Sequence, residues 1–127
     1  MDGMRAFLAA HAFDPGTTLL LGLDTLGAGT PLVARAEGAI LPHAYREADL
    51  ALVPQDVERW RIPAWTDPIL ARFAGLPALS LLSRDAEGRY ARYHVPEDLP
   101  EDVDLASVEA CLEAARRTVA TWAADRR

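Results

Sequence analysis

Two residues capable of chemistry stand at the ends of extended segments. Asp24 closes "TTLLLGLD" (17–24), and His94 lies in "RYHVPEDLPEDVD" (92–104), ahead of two prolines and five carboxylates. A carboxylate and a neutral imidazole are an oxygen and a nitrogen donor of the kind that zinc accepts. Pro96 biases Val95 toward extended backbone and Pro100 stiffens the loop further, which gives His94 a fixed direction. Each residue also has a plainer reading. An aspartate at a strand end commonly hydrogen-bonds the amides of the following turn, and a histidine beside an acidic helix start can be an ordinary polar residue. Spacing alone leaves both readings open.

Other chemistries fall away on the residues themselves. Gly27-Ala28-Gly29 follows a strand, but position 32 is Leu32 and no helix opens there, so it is not a dinucleotide loop. Ser80 and Ser83 lie in or just after a strand and outside any G-x-S-x-G elbow. Cys111 sits inside the last helical pattern, as an inert buried thiol does. Trp60 and Trp65 flank "RIPA"; they either line a hydrophobic pocket or pack that loop on the core. His11 and His43 read as surface or capping residues.

Composition narrows the class. The chain has 127 residues and a formal net charge of −6, with half its residues hydrophobic. That suits one globular core of a single domain, 1–127, and no basic stripe suggests a nucleic-acid or anionic-membrane partner. Every basic residue is arginine, which removes the phosphate-binding lysine, the Schiff base and the lysine general base. A lone cysteine allows no internal disulfide and no thiolate zinc cluster. The opening "MDGMRAFLAA" lacks a secretory pattern and "LLLGL" is too short to cross a bilayer, so a cytoplasmic location is expected.

The elements that must position these residues follow from periodicity. Residues 3–13 have helical spacing, ended by "DPG". The run 17–24 is apolar without alternation, as a strand buried on both faces is. A weaker strand is expected over 32–38, a helix over 44–60 interrupted by Pro54, and a short helix over 68–74 capped by Thr66 or Asp67. A second buried strand follows over 75–83, then a hairpin over 84–94. The last helix starts at an Asp104 cap and shows Leu105, Val108, Leu112, Ala115, Val119 and Trp122 at three- and four-residue steps. Such alternation predicts an α/β layered fold with a mixed, mostly parallel sheet, whose ligand sites gather at the carboxyl ends of strands. Glu97, Asp98, Glu101 and Asp102 suit the positive N-terminal end of the last helix.

Three segments in order, "LLLGLDTLGAG", "AWTDPILARFAGLPALSLLS" and "YHVPEDLPEDVDLASVEACL", resemble the C-terminal half of family-28 zinc metallopeptidases, the co-catalytic zinc aminopeptidases and their relatives. The resemblance runs from about residue 3 through the last helix. It implies an α/β/α three-layer sandwich with a pair of zinc ions at the strand ends. By that resemblance Asp24 matches the later aspartate ligand and His94 the last histidine ligand. Asp67 matches an acid of the substrate pocket, with Trp65 beside it, and Asp98 falls where the family keeps an acid behind the ligands. The chain departs from the pattern at Pro68, where many members carry histidine, and at Val95 and Leu99, where threonines are usual. The family's early histidine, bridging aspartate, ligand glutamate and general-base glutamate would all precede Met1.

The resemblance therefore implies the rear part of a zinc exopeptidase domain. Completed by the front half, it would hydrolyse N-terminal peptide bonds of a peptide substrate with zinc as cofactor; alone it is expected to be inactive. The alternative is a non-catalytic interaction or assembly module, paired with an upstream fragment or with a second copy of itself. Either way, neither nucleic acid nor membrane is an expected partner.

Overall fold

The computed structural model describes residues 1–89, 95–96 and 98–126. His94, the far arm of the expected hairpin and Glu97 lie outside the described residues. The order is α1 (Asp2–Ala10), β1 (Leu20–Leu23), β2 (Thr30–Glu37), β3 (His43–Ala44), α2 (Glu47–Leu50), β4 (Glu58–Ile62), α3 (Asp67–Phe73), β5 (Ala78–Arg84), a 3-10 turn (Pro100–Asp102) and α4 (Leu105–Ala124). This is a mixed α/β fold. The described strands form one five-stranded sheet in which β1 runs parallel to β5, β5 antiparallel to β2, and β2 parallel to β4 and antiparallel to β3.

The sheet core rests on β5 and β2. Six successive residues of β5, Ala78 to Ser83, are buried, so this strand is covered on both faces. Leu79 and Leu81 meet Leu32, Val33, Ile62 and Ile69 in one apolar cluster. Burying each such side chain stabilises the fold by roughly 1.5–3 kcal/mol. α3 packs on β1 and β5, while α4 packs on β2 and β5.

Three expectations change. The run at 17–24 forms an edge strand: β1 covers only Leu20–Leu23, none of it fully buried, and among the described residues it pairs with β5 alone. The long helix over 44–60 is absent. Pro54 cannot continue a helix, α2 is a single turn, and "ERWRI" joins β2 as β4. Arg59 ties this segment together, donating to the carbonyls of Leu50, Val53 and Val57.

The third change concerns α4, which forms where expected. Asp104 caps it by accepting from Ala106 N–H at 3.0 Å. Its buried face, however, is Ser107, Cys111, Ala114, Ala115 and Thr118, while Leu105 is 76% and Val119 45% exposed. The expected apolar face is thus rotated by about one residue. Small side chains let the helix lie close to the sheet, and the Ser107 hydroxyl and Cys111 thiol reach carbonyls there. No helix among the described residues is long and apolar enough to cross a membrane.

Candidate functional site

A cleft of about 450 Å³ opens at the β1 edge of the sheet, lined by Met4, residues 20–24, Thr66, Asp67, Pro68 and Ser80. β1 and α3 meet there at close range. A Cβ on Gly22 would collide with Cγ and Cδ of the Pro68 ring, so only glycine at this position lets α3 approach. The chain thereby brings Asp24, at the end of β1, and Asp67, in the first turn of α3, to one cavity. Asp67 also stands where the helix end favours an anion.

The turn after Asp24 is held by neutral groups. The Ala28 N–H donates to the Ser83 hydroxyl at 2.8 Å and the Gly29 N–H to the Ser107 hydroxyl at 2.7 Å. These amides are therefore taken by serines and not by the Asp24 carboxylate. Thr25, directly after Asp24, has φ of 48°, a left-handed conformation that a β-branched residue adopts only under strain of roughly 1–3 kcal/mol. Ser83 restrains it, since both its hydroxyl and its N–H donate to the Thr25 carbonyl.

Behind the cleft lies a residue that sequence reasoning passed over. Glu37, the last residue of β2, is 0% exposed. Its carboxylate accepts from the Tyr45 hydroxyl, the Thr66 N–H and the Thr66 hydroxyl, each at 2.6 Å. Thr66 occupies the N-cap position of α3, but its hydroxyl goes to Glu37 instead of capping the helix. Burial, and then the negative charge of Asp24, push the Glu37 carboxyl above its ordinary range, while the three donors pull it down. Burial also raises the Tyr45 phenol, with the neighbouring Glu37 charge adding to it. The available signal was an acid at a strand end, the feature that also points to Asp24, here followed directly by Gly38.

The other candidate residues lie elsewhere. Trp65, 43% exposed, joins His43 and Phe73 in an aromatic cluster, with ring centroids 5.0–5.8 Å apart. Asp98 is exposed on the approach to the 3-10 turn, and its N–H donates to the Val95 carbonyl at 3.1 Å. Cys111 is buried and burial raises its thiol.

As a metal site, the described part of the cleft falls short. Asp24 and Asp67 are two oxygen donors, and no group of three His, Cys, Asp or Glu side chains suited to a metal occurs among the described residues. Zinc needs about three protein ligands, with nitrogen or sulfur usually among them. Comparison of the chain with family models, curated proteins and solved structures gave no match.

Proposed function

We propose that this chain is the rear part of a zinc-exopeptidase-like domain, with the three-layer arrangement of that fold, and that the β1–α3 cleft is its half of a peptide-binding site. What supports the reading is one observation: Asp24 and Asp67 line a single cleft at the carboxyl end of β1. In this reading Asp24 and His94 are the zinc ligands this chain contributes, Asp98 supports His94, and Asp67 faces the substrate. The remaining ligands and the general base come from another polypeptide segment, so no step of hydrolysis is assigned to this chain by itself. The test is zinc stoichiometry by elemental analysis of purified protein, with Asp24→Ala and His94→Ala beside it. Zinc above the level of both variants is the expected result, and about one per chain requires the further ligands to come from a partner or a second copy. Zinc no higher than in the variants sinks the assignment of Asp24 and His94 as zinc ligands of this chain by itself and leaves the fold reading standing.

A second reading, a non-catalytic assembly module, draws on a different observation. β1 leaves one edge unpaired among the described residues, and an open edge invites pairing with another strand. Sedimentation equilibrium separates the two: a zinc-free chain that is an obligate dimer favours the module.

A further inference from the structure

The Thr66 hydroxyl lies 2.6 Å from Glu37 Oε1 and 3.0 Å from Ser80 Oγ. It has one proton and two neighbours, so it donates to one and accepts from the other. When Glu37 is ionised, Thr66 donates to the carboxylate and Ser80 donates to Thr66. When Glu37 is protonated, the carboxyl donates to Thr66 and Thr66 donates to Ser80. The direction of the chain therefore records the proton. Glu37 and Ser80 are 0% exposed and Thr66 is 6% exposed, and the two hydroxyl residues form the wall of the cleft beside Asp24 and Asp67.

We propose that Glu37 is a proton-exchanging residue of the cleft, delivering and taking back a proton through the Thr66 and Ser80 hydroxyls. In the outward step the proton on Glu37 Oε1 passes to Thr66 Oγ1. The Thr66 proton passes to Ser80 Oγ, and the Ser80 proton leaves to water in the cleft. One proton enters the chain and one leaves it, so nothing else changes. The groups facing Glu37 are Tyr45 from the β3 side, Thr66 at the start of α3, Ser80 on β5 and the Asp24 charge at the end of β1, with His43 opposite it in the strand pairing. Arg72 acts on Tyr45. Anything cationic that settles at Asp24 removes a like charge and drives the proton out. This holds whatever the cleft binds, and it does not depend on zinc.

The structural alternative is that Glu37 only ties β2 and Tyr45 to the start of α3. A ¹³C NMR titration of the Glu37 carboxyl in the unliganded chain, assigned by its loss in Glu37→Gln, separates the two. The expected midpoint lies above that of an exposed glutamate, with one averaged resonance moving with pH. Asp24→Asn lowers that midpoint. Thr66→Val, which keeps the shape and removes the hydroxyl, splits the averaged resonance into slowly exchanging protonated and ionised forms; Ser80→Ala gives the same splitting if Thr66→Val does not fold. A midpoint unmoved by Asp24→Asn, or an averaged resonance that persists in the hydroxyl variants, overturns the proposal.

Discussion

Two polar clusters pin the ends of this sheet, and they differ in one respect. Around Ser83 and Ser107, neutral hydroxyls meet backbone groups: Gly29 N–H donates to Ser107, whose own proton has the Leu26 and Gly29 carbonyls each at 2.6 Å. Around Glu37, three donors converge on a carboxylate that is wholly removed from water. The serines of the first cluster do not titrate, and they fasten the 25–29 turn to β5 and α4. The second holds a group whose charge changes, and it opens through Thr66 and Ser80 onto the cleft. Neutral pairs of this kind are a low-risk way to satisfy buried backbone, whereas a buried carboxylate is retained at greater expense in stability. That difference is why the proposed proton exchange is placed at the Glu37 end.

The largest effect should come from Glu37→Ala. It strands the Tyr45 hydroxyl and the Thr66 N–H, while the Thr66 hydroxyl keeps Ser80 as its partner, and a loss of roughly 2–6 kcal/mol in urea unfolding is expected, since each buried unsatisfied group costs about 1–3 kcal/mol. Ser107→Ala leaves the Gly29 N–H without its acceptor and should lose roughly 1–3 kcal/mol in the same measurement. Equal losses in the two variants would erase the distinction between a charged and a neutral cluster.

A smaller effect separates the clusters by pH. The Glu37 carboxyl is raised, so the folded chain holds this proton more tightly than the unfolded chain does. As pH rises past the ordinary glutamate range, the unfolded chain releases its proton first and stability falls. The decline levels off once pH exceeds the folded value. Glu37→Gln should remove this slope, read as the difference in urea midpoints between wild type and variant over about pH 4 to 8. Ser107→Ala should keep it.

The smallest effect is expected far from both clusters. Asp56 and Arg117 form a two-bond ion pair at 2.9 and 3.0 Å, with the Arg117 side chain 47% and the Asp56 side chain 66% exposed. The Arg117 guanidinium holds the Asp56 carboxyl below its ordinary range, yet solvent screens such a pair. Asp56→Asn should leave the thermal midpoint almost unmoved at physiological salt. A shift as large as that of Ser107→Ala would show that surface charge, not buried polar packing, anchors α4.

Sequence by itself determined the strands and helices whose signals are local. The apolar run of β5, the Thr66–Asp67 start of α3 and the Asp104 cap of α4 were all legible, because period, turn residues and caps act within a few positions. Asp24 and Asp67 were legible as single acids at element ends. Only the tertiary structure decided that they share a cleft, since that depends on Pro68 of α3 seating over Gly22 of β1. It also decided that "ERWRI" is a strand, because β4 exists only by hydrogen-bonding β2. The buried face of α4 went the same way: close packing on the sheet chose Ser107 and Cys111 over Leu105 and Val119. Glu37 reads in sequence as one acid among many. Its distinction arises from burial and from donors on Tyr45 and Thr66, and burial and long-range hydrogen bonds are properties that no local window of sequence contains.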